Sequence, residues 1–257
     1  MTVAYDGTDF RGLAPNPGVR TVVGEMVAKL EPYVGYRPDI VMSGRTDAGV
    51  HATGQVVSFD LPVELAVPGR LQKLLNIGLG PEIVVRDVEL VDSDFSARFS
   101  ATSRRYQYLI LNRSVPEPLL ARTSWWVPEP LELDVMRLAC DPLIGEHDFS
   151  SFCRRPKGAT VEPSLVRRVD EASWRLIGPG LLRFEILGSA FCHQMVRSIV
   201  GFHMAVGRGK RTAGQLREVL AARDRNRAES PAPPHGLVLV ETSYGQPWSD
   251  AVATGSV

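Results

Sequence analysis

Ser43-Gly44-Arg45-Thr46-Asp47-Ala48-Gly49-Val50-His51 gathers a carboxylate, a guanidinium, a hydroxyl and an imidazole between two glycines. Gly44 and Gly49 bracket Asp47, and glycine lets the backbone take conformations that a side chain forbids. A carboxylate held on a tight loop just ahead of a strand is well placed for chemistry. An Asp in such a loop also serves plain turns, by accepting backbone N–H groups. The loop by itself leaves both readings open.

The neighbouring sequence supplies the elements that must hold this loop. Ile40-Val41-Met42 reads as a buried strand leading into it. Beyond it, Val57 and Phe59 alternate with Val56, Ser58 and Asp60, the period of a half-exposed strand. Upstream, Val3-Ala4-Tyr5 is a short strand, and Val23, Met26, Val27, Leu30 and Val34 recur at helical spacing behind the candidate N-cap Thr21. Leu71, Leu74 and Leu75 suggest a helix, and residues 83–91 a strand. Further on, Tyr106, Tyr108 and Ile110 share one strand face. Residues 115–130, with Trp125 and Trp126, read as an irregular or edge segment, and 133–140 as a helix. Residues 166–174 and 181–187 form a strand pair about the turn Gly178-Pro179-Gly180. A helix is predicted over residues 190–206, with Met195, Ile199, Phe202 and Val206 as its apolar seam and Arg197 on the opposite side with His193, Gly201 and Met204. Arg197 thus faces either water or a site. Thr212-Ala213-Gly214-Gln215 is a capping-box pattern for one more helix, and residues 237–240 are a last strand. Residues 245–257 are polar and expected to be loose. Helices and strands alternate without long parallel crossovers, so the expected class is α+β, two layered halves sharing or abutting a sheet, with a boundary near Arg98 (1–97 and 98–257).

Composition narrows the function classes. The chain has 257 residues, and its 29 Lys and Arg balance 29 Asp and Glu. No apolar run approaches the roughly 20 residues that span a bilayer, and the N-terminus lacks a signal pattern. Cys140, Cys153 and Cys192 are far apart, which argues against a zinc site or a disulfide framework and fits a reducing cytosol. Neither nucleotide-binding glycine fingerprint is present, and the five histidines are scattered, so neither a metal nor a nucleotide cofactor is expected. Basic residues nevertheless cluster at Arg98, Arg104 and Arg105, at Arg154, Arg155 and Lys157, at Arg167 and Arg168, and at Arg208, Lys210 and Arg211. Two clusters stand beside rings, Tyr106/Tyr108 and Phe149/Phe152. Guanidinium groups for phosphates beside rings for bases suit looped or single-stranded RNA, although each cluster alone could be a solvated surface.

At this point the chain resembles the tRNA pseudouridine synthase A family. The similarity is carried in order by Tyr5-Asp6-Gly7-Thr8-Asp9-Phe10 with Gly12, by the 43–52 stretch, and by Phe95-Ser96-Ala97-Arg98-Phe99 running to Arg104-Arg105-Tyr106-Gln107-Tyr108. It continues in Gly145-Glu146-His147-Asp148-Phe149-Ser150-Ser151-Phe152, in residues 191–201, and in Ala232-Pro233-Pro234-His235-Gly236-Leu237. Two stretches depart from the family pattern. Leu13-Ala14-Pro15-Asn16-Pro17 replaces an aromatic and glutamines, and Ser96 replaces a His. Both lie on expected RNA-contacting loops and bear on target choice more than on chemistry.

The resemblance implies a pseudouridine synthase fold, two α/β halves with a shared, mainly antiparallel mixed sheet flanked by helices. It also implies isomerisation of uridine in the tRNA anticodon stem-loop, at roughly positions 38–40, with the base taken out of the stack. Substrate and product are isomers, so the resemblance implies no cofactor and no metal. It makes Asp47 the catalytic carboxylate, by attack on the sugar, by attack on the base or by a glycal route. It makes Arg197 the counter-ion that keeps Asp47 ionised, and Tyr106 the ring that stacks on the uracil. Arg45 would fill the space of the flipped base or bind a phosphate, and Arg98, Arg104 and Arg105 would contact RNA. The family pattern further implies a cytoplasmic homodimer with one tRNA lying across both subunits. The competing reading is an RNA-binding protein of the same fold that does not turn over.

Overall fold

Thr21 begins the first helix as its sequence suggests: its hydroxyl accepts the Gly24 N–H at 3.2 Å, and Gly35, at φ 81°, ends the helix in the left-handed region. The structure, a computed structural model, describes residues 1–155 and 164–245. Lys157 and the tail beyond Gly245 lie outside the described residues. The chain divides into a first unit, Met1–Arg104 with the chain from Leu239 onward, and a second, Arg105–Val238.

In the first unit, β1 (Thr2–Tyr5), α1 (Val22–Val34), β2 (Val41–Met42), β3 (His51–Ser58), α2 (Pro68–Leu79) and β4 (Ile83–Asp87) follow in order. Strand β1 pairs antiparallel with β3 (Thr2 opposite Val56) and with β4 (Val3 opposite Val85), while β2 pairs with β3 (Val41 opposite Ser58). The alternation of β1 buries Val3 and Tyr5. Helices α1 and α2 pack together, and α2 lies on β4. Met26, Leu30 and Leu75 are among the residues buried there.

The second unit contains β5 (Ser103–Leu111), β6 (Trp125–Trp126), α3 (Leu133–Leu138), β7 (Gly145–Asp148), β8 (Val166–Gly178), β9 (Leu181–Gly188), α4 (Met195–Gly207) and α5 (Gln215–Ala222). Its strand order is β5-β9-β8-β7, and the Trp125-Trp126 edge segment adds to β5 in parallel. The hairpin β8–β9 sets Trp174 opposite Phe184. The last strand, β10 (Leu237–Ser243), returns to the first unit, whose order is β4-β1-β3-β10. Antiparallel pairs, the parallel pair β5–β6 and helices against the sheets make an α+β fold. The final strand belongs to the first unit, because sheet partners are chosen across the whole chain rather than along it.

Helix α4 differs from its sequence reading in two respects. It begins at Met195, because Gln194 takes φ 64°, a left-handed conformation that no helix continues through. His193 therefore precedes the helix. The helix is also buried on nearly every side: of its residues, all but Arg197 are buried. Helix α3 packs on it, and Gly201 lies so close to the Ser230 carbonyl that a Cβ there would collide with it. A helix covered all round needs no polar face.

Within this core the Trp174 indole N–H donates to His203 Nδ1 at 2.8 Å, and His203 Nε2 lies 3.2 Å from the Ala139 carbonyl. The indole can only donate, so Nδ1 accepts and the proton sits on Nε2. Complete burial pushes the imidazole down to about 4, opposed by its bond to Ala139. The unfolded chain binds this proton near pH 6.5 and the folded chain only near 4, so the stability contribution is present above 6.5 and is lost as pH falls toward 4. The difference in unfolding free energy between wild type and His203→Gln is expected to shrink by about 2 kcal/mol between pH 7 and pH 5. Urea titrations at the two pH values measure it, and a pH-independent difference would contradict a neutral His203.

Cys153 and Cys192 form a disulfide with Cα atoms 5.7 Å apart, a single pair where the spacing of the three cysteines argued against a disulfide framework. The two lie 39 residues apart and only tertiary structure brings them together. Cys140 is buried, and burial pushes its thiol up to about 12, so it stays protonated.

Candidate active site

The 43–51 loop is held from several directions, all within the first unit. Val50 N–H closes a turn onto the Asp47 carbonyl at 3.1 Å, and Gly49 supplies the positive φ of 78° that the turn needs. The 7–13 loop lies along it. Gly49 N–H donates to the Phe10 carbonyl, Leu13 N–H to the Thr46 carbonyl, and Gly7 N–H to His51 Nδ1 at 3.0 Å. Gly7 packs so closely on the Val50 carbonyl that no side chain fits between them. The Tyr5 hydroxyl meets Thr46 Oγ1 at 2.8 Å, and burial pushes the Tyr5 phenol up to about 12, so it remains a neutral partner. Asp47 itself is half-buried and Arg45 is exposed.

Two further residues clasp the loop from beneath. Gln55, with none of its surface exposed, accepts from the Ser43 hydroxyl at 2.7 Å and donates to the Gly44 carbonyl at 3.0 Å. Arg104, 9% exposed, donates to the carbonyls of Ser43 at 2.8 Å, Arg98 at 3.0 Å and Ala101 at 3.3 Å. Sequence reading placed Arg104 among the RNA-contacting residues; in the structure its guanidinium bonds to backbone carbonyls. The five N–H donors of an arginine can bridge three carbonyls that a lysine could not span. Gln55 was not singled out at all, although a Gln in the buried phase of the strand, with Val57, is the visible sign of a polar clasp. Replacing Arg104 by Met would leave these carbonyls without that donor and is expected to cost about 3 kcal/mol. Urea denaturation measures this, and a loss below about 1 kcal/mol would show that the clasp is dispensable.

In the second unit, Tyr106 lies on the buried face of β5 with Tyr108 and Ile110, as the alternation implies. Its ring meets Phe191 edge-on at 5.1 Å. Arg197 stands in the first turn of α4, where its Nε donates to the Ala232 carbonyl at 2.8 Å and its own carbonyl accepts the Ala232 N–H at 2.9 Å. The 230–232 segment thus fixes where the guanidinium points. Arg105 pairs with Glu171 at 2.8 Å. Phe149 and Phe152, read beside a basic cluster as rings for bases, are fully buried; they meet each other edge-on, and Phe152 meets Phe202 in the same way, so they belong to the core. Among the described residues no helix is long and apolar enough to cross a membrane, and no group of three or more His, Cys, Asp or Glu could hold a metal ion.

Residues 139–245 match the family model described as tRNA pseudouridine synthase. A tRNA pseudouridine synthase A from Shouchella clausii is 39% identical over 95% of this chain and 92% of its own length. The chain belongs to the tRNA pseudouridine synthase A family. The Brevibacillus brevis member of the family is 42% identical over 94% of this chain and 97% of that protein, and the Leifsonia xyli member is 38% identical over 95% and 90%. A chain in the crystal structure of a Cbf5-Nop10-Gar1 complex is similar with a TM-score of 0.36 and 14% identity, covering 94% of this chain and 48% of that one, a likeness too low to carry an argument. Family membership makes the chain an isomerase.

Proposed function

We propose that this isomerase converts uridine to pseudouridine in the anticodon stem-loop of tRNA, at roughly positions 38–40, with the target base flipped out of its stack. The reaction breaks the bond from the sugar carbon to N1 and forms one from the same carbon to C5. C5 gives up a proton and N1 gains one, so the balance requires no oxidant and no second substrate. Asp47 is the carboxylate that takes the reaction through its covalent or glycal stage. Arg197 is its counter-ion and holds it ionised. Tyr106 supports the uracil by stacking, and Arg45, exposed on the same loop as Asp47, occupies the space of the departed base or binds phosphate.

The observation that carries this reading is the bracing of the Asp47 loop. A turn that only reverses the chain has no need of a fully buried Gln55, a buried Arg104 and a buried Tyr5 hydroxyl, all directed at it. Such a shell holds a reacting group in place. By the same reading, Arg98 and Arg105 lie toward the RNA, the protein works as a cytoplasmic homodimer, and catalysis draws on an N-terminal half carrying Asp47 and a C-terminal half carrying Tyr106 and Arg197.

The test is to incubate the protein with unmodified tRNA transcripts and locate pseudouridine by carbodiimide adducts that stop reverse transcription. Stops at positions 38–40 are expected. Stops elsewhere would overturn the target assignment, and binding without any stop would leave an RNA-binding protein that does not turn over.

A further inference from the structure

Phe99 is 81% exposed, whereas Phe95, Tyr106, Tyr108, Phe149 and Phe152 are partly or fully buried. A single exposed ring is ordinary on a protein surface. This one is held by its neighbours. The Arg98 guanidinium lies 5.2 Å from its centroid. The 96–100 turn beneath it is closed three times, by Ser100 N–H on the Ser96 carbonyl, Ser96 N–H on Ser100 Oγ and Phe99 N–H on Ser96 Oγ. Ser58 Oγ accepts the Ala97 N–H, and the Tyr244 hydroxyl donates to the Ala97 carbonyl at 2.8 Å. Arg104 takes the Arg98 carbonyl with the same guanidinium that takes the carbonyl of Ser43, at the head of the Asp47 loop. The turn is therefore fixed to the loop that carries Asp47, within one unit.

We propose that Phe99 and Arg98 form a nucleotide-binding knob, the open face of the ring stacking an unpaired base of the RNA substrate and Arg98 holding the phosphate beside it. This rests on the proposed function for the identity of the RNA. A phenyl ring accepts any base, since every base has a π-face, and an arginine stacked by its plane still presents in-plane N–H groups to a phosphate. Exposed aromatic surface with a cation beside it fits an anionic, planar ligand better than an apolar protein face. Because the turn and the Asp47 loop share the Arg104 clasp, the stacked base belongs to a nucleotide flanking the target uridine. Ser96, which departs from the family pattern, accepts the Phe99 N–H and so helps set the pose of the ring.

The experiment compares wild type with Phe99→Ala, Phe99→Leu and Phe99→Trp in tRNA binding, by fluorescence anisotropy with a labelled transcript, and in steady-state pseudouridine formation. Loss of base stacking is expected to raise both Kd and KM about 10-fold in Phe99→Ala. Phe99→Leu should behave like Phe99→Ala, and Phe99→Trp like wild type. Unchanged binding in Phe99→Ala, or full rescue by Leu, would overturn the stacking role. A change in subunit association in Phe99→Ala, measured by sedimentation, would instead make the ring a contact between copies of this chain and overturn the proposal. If wild type forms no pseudouridine yet Phe99→Ala weakens tRNA binding, the proposed reaction falls and the knob stands. If wild type converts uridine and no Phe99 variant matters, the knob falls alone.

Discussion

Asp47→Asn is expected to bind tRNA close to wild-type affinity and to form pseudouridine at least about 1,000-fold more slowly, a barrier increase of about 4 kcal/mol or more. Asn keeps the shape of the side chain but can carry neither the charge nor the electron pair that bonds to the substrate. The surrounding shell is directed at backbone: Gln55 holds Gly44, Arg104 holds Ser43, and the 7–13 loop holds Thr46 and Gly49. The loop should therefore keep its conformation in the variant, and loss of rate should not be loss of fold. Unchanged urea midpoints together with chromatographic analysis of digested tRNA separate the two. Retention of more than about one-tenth of the wild-type rate would remove Asp47 from the chemistry.

Arg197→Lys is expected to lower kcat about 100-fold with little change in tRNA affinity. Lysine keeps the charge but lacks the planar fork. In α4 it would also lose the Nε–H bond to the Ala232 carbonyl that sets the direction of the guanidinium. Every other residue of α4 is buried, so this one half-buried cation is not explained by the apolar packing of its helix. A large fall in tRNA binding with unchanged kcat would assign Arg197 to phosphate contact instead. An unchanged rate would remove it from the site.

The sequence made legible the parts encoded by local pattern. Thr21 capped its helix, Gly178-Pro179-Gly180 joined two strands, and Tyr106, Tyr108 and Ile110 shared a buried face, because each depends on neighbours within a few residues. Arg197 stood out as the charged residue of an apolar helix. Hidden were the features that only tertiary structure creates. The start of α4 hangs on one left-handed residue, Gln194, whose side chain gives no sign of it. The burial of α4 on every side depends on α3 and on the 230–232 segment, which contribute nothing to its own periodicity. The clasp made by Arg104 was hidden because composition registers the charge and not the three carbonyls awaiting it. The aromatic neighbours of the basic clusters misled in the same way: Phe149 and Phe152 are core, while Phe99 stands in water. The Cys153–Cys192 pairing likewise depends on a fold that brings together residues 39 apart.

The central claim is that the braced loop at Asp47 carries out a uridine isomerisation in tRNA. Release of tritium from C5 of labelled uridine reads that event alone, because binding, cleavage or methylation elsewhere leaves the label in place. Wild type is expected to release one tritium for each pseudouridine formed, and Asp47→Ala to release none while still binding tRNA. No release from wild type, or release from Asp47→Ala at the wild-type rate, would contradict the account.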